Sequence, residues 1–276
     1  MSTKVGFLPV VCVLAAAVVT VGCGSPGEAG ATGGPAGSEG DTLTVFAAAS
    51  LTDAFGELGE EFTDKTGAEV TFNFGSSSTL AAQIGQGASA EVFASADEAQ
   101  MQNIADGGLV SGEPDIFARN REVVVVPADN PGDIEKFADL ANPDLTLVLA
   151  QEEVPAAEYA EEILANAAED PEYGESFEKD VMGNIVSREE DVRASVNRVV
   201  VGDADGTFGY ASDVTPSIRQ DVGIVEIPEN LQVIAEYPIA TLSGARDQAL
   251  AQQWVDFVTG EEGQDVLGKW GFETID

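Results

Sequence analysis

The chain has 276 residues, 44% hydrophobic and 22% charged, enough for one large or two modest domains and too apolar for wholesale disorder. Its 49 Asp and Glu against 12 Lys and Arg give a formal net charge of −37, which excludes docking on nucleic-acid backbones and on anionic lipid heads. Histidine is absent and the only cysteines are Cys12 and Cys23, so a Ser-His-Asp triad, a His-ligated metal and, beyond residue 23, any disulfide or thiol chemistry are excluded as well.

Lys4 precedes an apolar run from Val5 to Gly22, the pattern of a secretory signal. The run ends Thr20-Val21-Gly22-Cys23. A small residue directly before Cys resembles a lipobox, so residues 1–22 are expected to be a lipoprotein signal peptide and Cys23 the lipidated residue. The alternative is an uncleaved anchor, for which the run is barely long enough. Residues 23–41 hold seven glycines and two prolines and read as the lipidated Cys followed by a flexible tether. Cleavage before Cys23 removes Lys4 and no acid, taking the charge from −37 to −38.

From residue 42 strands and helices alternate. Leu43–Ala49 reads as a buried strand, running into Ser50-Leu51-Thr52-Asp53, a capping-box variant. Leu51, Phe55, Leu58 and Phe62 keep helical spacing up to a stop at Gly67, and Val70, Phe72 and Phe74 alternate as a strand. Gly75-Ser76-Ser77-Ser78 leads into a short helix at 79–86; a strand at 91–95 and a helix at 98–105 follow. Strands are expected at 122–126 and 145–149, then a helix over 155–168 with Pro155 at its first position. Asn184–Val186 reads as a strand and Ser187-Arg188-Glu189-Glu190 as a capping box opening a helix to Val201. Strands at 207–211, 224–227 and 233–240 and helices at 245–258 and 262–267 complete an α/β fold with mostly parallel sheets.

Few residues carry chemistry. Gly263–Lys269 fits the spacing of a phosphate loop, but Trp270 stands where magnesium needs a hydroxyl, and a last helix stopped by Gly268 is the better reading. Acidic pairs such as Glu60-Glu61 are expected by chance among 49 acids. The informative residues are hydroxyls at strand-to-helix turns, Ser50 and Ser76–Ser78. There, unpaired N–H groups and a positive dipole end make an anion site that contains no cation. Plain capping is the simpler explanation for any one of these serines.

These segments resemble the molybdate-binding proteins of bacterial ABC importers. The resemblance lies in Thr44-Val-Phe-Ala-Ala-Ala-Ser50-Leu-Thr-Asp-Ala54 and Gly75-Ser-Ser-Ser-Thr-Leu-Ala81, then Glu91-Val-Phe-Ala-Ser-Ala-Asp97, Val154-Pro-Ala156 with Tyr159, Glu190-Asp-Val-Arg193, Gly209-Tyr210-Ala-Ser-Asp213, Tyr237-Pro-Ile-Ala240 and Gly271-Phe272. It departs from the family at Ala150–Glu153, where an Asp-Pro pair is frequent.

The resemblance implies a periplasmic-binding-protein-like fold of type II, with two α/β lobes around a ligand cleft. Lobe 1 would comprise residues 42–124 plus 238–276 and lobe 2 residues 125–237, with the strands at 122–126 and 233–240 as hinge. It implies an oxyanion, molybdate or tungstate, held by the hydroxyls of Ser50, Ser77 and Tyr210 and the backbone N–H groups of Ala156 and Val192. No direct metal ligand, catalytic residue or cofactor is implied. Arg193 is expected in a structural ion pair with a neighbouring acid. The chain would be a monomer on the outer face of the cell membrane, delivering its ligand to a permease and ATPase. The alternatives are a binding protein for another oxyanion such as sulfate, and a secreted hydrolase using Ser50 or Ser77.

Overall fold

The computed structural model describes residues 42–275; the expected signal peptide, lipidated Cys23 and tether lie outside the described residues. In chain order the elements are β1 (Thr42–Ala48), α1 (Thr52–Thr66), β2 (Glu69–Gly75), α2 (Ser77–Gly85), β3 (Val92–Ala94), α3 (Glu98–Asp106) and β4 (Asp115–Pro127). There follow β5 (Leu147–Ala150), α4 (Pro155–Glu169), α5 (Phe177–Gly183), β6 (Ile185–Glu189), α6 (Val192–Val200) and β7 (Gly206–Tyr210). The chain ends with β8 (Val222–Val225), β9 (Ile234–Thr241), α7 (Gln248–Thr259), α8 (Glu261–Lys269) and β10 (Glu273–Thr274).

β4 organises the whole arrangement. Its first half, Asp115–Arg121, pairs with β9 on one edge, with Ala118 and Arg119 against β10 on the other. Its second half, Glu122–Pro127, lies between β7 and β8. One strand thus runs through two sheets. The first is ordered β2-β1-β3-β9-β4, the second β4-β7-β5-β6.

Each sheet is covered on both faces. In the first, Phe55, Leu58, Phe62 and Trp254 pack α1 and α7 on one side, and Leu80, Ile84, Met101 and Ile104 pack α2 and α3 on the other. In the second, Ile163, Leu164 and Val181 bring in α4 and α5, while Val196 and Val199 bring in α6. Such layering is what near-continuous apolar strands such as Leu43–Ala48 and Val123–Val126 require.

Several expectations are corrected. The sheets are mixed rather than mostly parallel. β1 is parallel to β2 and β3, and β5 to β6 and β7, but every pairing made by β4 and β9 is antiparallel. β4 is also longer than its apolar stretch, because Arg119 and Arg121 face Glu236 and Glu273 at 2.7 and 2.8 Å on the strands beside them. Ser187–Glu190 is not a capping box. Ser187 pairs with Val148 inside the sheet and its hydroxyl donates to Glu189, so α6 begins later, capped by Asp191, whose carboxylate accepts the Ala194 N–H at 2.9 Å. The last helix runs through Gly268 and stops at Trp270, before Gly271 at φ +88°. Helix α5 has no counterpart in the expected elements.

Candidate functional site

Three helix starts and one tight turn meet at a single pocket. It is lined by the 3-10 turn that follows β1 (Ala48, Ala49, Ser50), the start of α2 (Gly75, Ser76, Ser77), Ala96, the start of α4 (Val154, Pro155, Ala156), the start of α6 (Asp191, Val192) and Tyr210 at the end of β7. All five residues expected to hold an anion are therefore brought together. The first three elements flank the first sheet and the last three the second, so the pocket lies where the two halves face each other.

Each lining group has a local reason for its position. Ser50 does not cap α1, contrary to the capping-box reading: that helix starts after Leu51 with no side-chain cap. The chain instead makes a 3-10 turn, closed by Thr52 Oγ1 donating to Ala49 O at 2.6 Å. Ser50, 3% exposed, turns inward with its Oγ 3.0 Å from the Tyr237 hydroxyl. Ser76 is the true cap of α2, accepting the Thr79 N–H at 3.2 Å, which leaves the next residue, Ser77, to face the cavity. Ser77 Oγ accepts the Ala96 N–H at 2.9 Å.

Ala156 and Val192 are the second residue of α4 and the first of α6. Their N–H groups fall in the first turn, where a helix has no carbonyl to offer them. Pro155 presets the first helical φ and Asp191 caps α6. The Tyr210 hydroxyl is buried with no hydrogen-bond partner among the described residues. Burial holds its pKa well above the usual 10, so it is a neutral donor at every physiological pH.

The electrostatics are those of dipoles and one acid: no Lys or Arg lines the pocket, and Asp191, the cap of α6, does. Arg193, next to Val192, pairs with Asp53 of α1 at 2.5 Å rather than with one of the acids flanking it in sequence. Both side chains are about a third exposed, and a pair of that kind contributes at most about 1 kcal/mol. The three helix starts each carry roughly half a positive charge, and the pocket presents these together with hydroxyl and amide protons.

Behind Tyr210 lie two buried carboxyls with no sequence signal. Glu122, opposite Tyr210 in the β4–β7 register, has neither side-chain oxygen partnered among the described residues. Burial, aided by the Asp213 charge, pushes its pKa well above 4.5. Asp213 accepts the Tyr210 N–H at 3.0 Å, and burial pushes it up to about 7 against the opposing pull of Arg193 and that N–H. A carboxyl whose pKa is raised on folding holds a proton that the unfolded chain releases near pH 4, so its contribution is full below that pH and is lost as pH rises through the folded value. Unfolding free energy should therefore fall from pH 5 to pH 8 in urea titrations, and Glu122→Gln should flatten the slope. A slope unchanged by the substitution would contradict the assignment.

Tyr237, the Ala96 N–H and Asp191 join the site without having been singled out as site residues. Tyr237 sits in mid-strand between Glu236 and Pro238, where no turn signal marks it.

The family described as bacterial extracellular solute-binding protein matches residues 43–273. The molybdate-binding protein ModA of Mycobacterium tuberculosis is 40% identical over 256 residues, covering 91% of this chain and 92% of that protein. The molybdate-binding protein ModA of Escherichia coli is 30% identical over 240 residues, covering 83% and 88%. Among solved structures, the periplasmic molybdate-binding protein of Azotobacter vinelandii superposes with a TM-score of 0.74 at 20% identity, covering 85% of this chain and all of that one, a likeness of fold. These are substrate-binding components of transport systems and not enzymes. The chain belongs to the bacterial extracellular solute-binding protein family, together with these molybdate-binding proteins.

Proposed function

We propose that this chain is the extracytoplasmic receptor of an ABC importer and captures molybdate, with tungstate accepted in the same way. The donors would be the hydroxyls of Ser50, Ser77 and Tyr210 and the backbone N–H groups of Ala156 and Val192. The observation that carries the reading is the convergence of these five on one cation-free pocket, in a chain 40% identical to proteins named for binding molybdate. The first sheet with α1, α2, α3 and α7 forms one lobe and the second sheet with α4, α5 and α6 the other, and β4, which runs through both sheets, acts as hinge. An anion touching both lobes favours the closed form by its differential contacts. The closed form docks on a membrane permease whose partner ATPase supplies the energy. The protein acts as a monomer, tethered to the outer face of the cell membrane through a lipid on Cys23.

A thermal-shift panel tests this. Ligand that binds only the folded protein raises its melting temperature. Molybdate and tungstate are expected to do so at concentrations where phosphate does not; a rise with phosphate and none with molybdate would overturn the reading.

The charge of −38 left after cleavage (−37 less Lys4) predicts unusual kinetics. A dianion is repelled over a range of about one Debye length, about 8 Å at physiological ionic strength. Affinity then comes from short-range donors, about 1.5–3 kcal/mol for each charge-assisted bond. Stopped-flow association should accelerate as salt is added; rates that fall with salt would reveal a basic funnel and contradict this.

A further inference from the structure

Both serines of the pocket are held from behind. Ser77 Oγ accepts the Ala96 N–H, so one acceptor position is filled and its own proton is free to turn to the cavity. Ser50 is paired with Tyr237 at 3.0 Å, hydroxyl to hydroxyl, a bond open in either direction. The surroundings of Tyr237 settle which way it runs. Tyr237 is fully buried in β9, edge-on to Phe117, Tyr210 and Phe272. Among the described residues its hydroxyl is hydrogen-bonded to Ser50 Oγ alone. Tyr237 thus has one acceptor for its own proton, Ser50 Oγ. The opposite direction would leave a phenol proton buried without an acceptor, which proteins avoid.

We propose that Tyr237 is a positioning residue that fixes the proton of Ser50: Tyr237 donates to Ser50, and Ser50 to the bound anion. The inference rests on the oxyanion reading above and narrows the class of ligand. Ser50 and Ser77 then turn their protons to the cavity, each with one lone pair filled from behind. A tetrahedral oxyanion with no proton of its own is satisfied there. One that carries a hydroxyl, such as hydrogenphosphate, needs an acceptor, and reaching one means turning a serine proton away from the cavity or disturbing Asp191, the one acid that lines the pocket and the cap of α6. Aligned donors of this kind also polarise one another, strengthening the last bond to the anion.

Tyr237→Phe tests this, since the ring and its packing are kept. In the variant the Ser50 proton can turn into the space left by the phenol oxygen, and its lone pair can face the ligand. Calorimetry at pH 7 with molybdate, sulfate and hydrogenphosphate, ranking weak binders by competition, should show molybdate and sulfate weakened together by about tenfold. The preference for molybdate over hydrogenphosphate should narrow by about the same factor, equivalent to one lost bond of about 1.4 kcal/mol. In a Ser50→Ala background the same substitution should change neither quantity. Tyr237→Met, which also removes the hydroxyl while keeping an apolar side chain of similar length, should move the preference the same way, and it carries the test if Tyr237→Phe fails to fold. Equal weakening of all three anions, or a full effect in the Ser50→Ala background, would show Tyr237 to be packing only and overturn the inference while leaving the oxyanion reading intact. A parent protein that binds none of the anions would overturn both.

Discussion

Tyr210→Phe is expected to bind molybdate about 10–150-fold more weakly than the parent protein while melting at an unchanged or higher temperature. The two effects separate because the Tyr210 hydroxyl is buried without a partner among the described residues. An unsatisfied buried hydroxyl costs stability, about 1–3 kcal/mol, and removing it while keeping the ring relieves that cost. The T-shaped contact with Tyr237, 5.8 Å between centroids, is retained. With anion present the same hydroxyl is a donor to a charge, so its loss is felt wholly in affinity. Titration calorimetry paired with thermal melts of the ligand-free proteins checks both signs. A variant that loses stability while keeping its affinity would assign Tyr210 to the core instead of the site.

Val192→Pro should have an effect of similar size through the backbone. Proline is favoured at the first position of a helix, where it removes an N–H that the helix does not use. Val192 occupies that position in α6, and Asp191 before it is extended at φ −155°, ψ 176°, the conformation a following proline requires. The substitution therefore takes away one donor to the ligand while α6 and its Asp191 cap persist. Affinity for molybdate should fall about 10–150-fold with the circular dichroism spectrum unchanged. If binding survived, the anion would not be using the α6 N-terminus, and the assignment of Val192 would be wrong.

Much of this arrangement is legible in the sequence because the site is made of turns. Buried strands that run into Ser50, into Ser76–Ser78 and into Pro155 mark helix starts by their composition alone, and helix starts gathered at strand ends are anion sites by geometry. Val192 shows the limit of that logic. The capping box read at Ser187–Glu190 is overridden by the pairing of Ser187 with Val148 across the sheet, which leaves Asp191 to cap α6. The first half of β4 was hidden because Arg119, Asn120 and Arg121 look like loop residues until the strands carrying Glu236 and Glu273, and the turn carrying Ser212, are set beside them. Antiparallel pairing of β4 and β9 is likewise a long-range fact with no local pattern. Tyr237 and Glu122 stayed invisible for the same reason, since each acquires its meaning from partners 187 and 91 residues away (Ser50 and Asp213).

The most direct test of the central claim is calorimetric titration of the protein with molybdate, using sulfate and phosphate as controls. One molybdate per chain, bound tightly and exothermically with phosphate silent, is the predicted result. Absence of binding to any oxyanion would mean that the serine turns and helix starts around this pocket serve the fold alone.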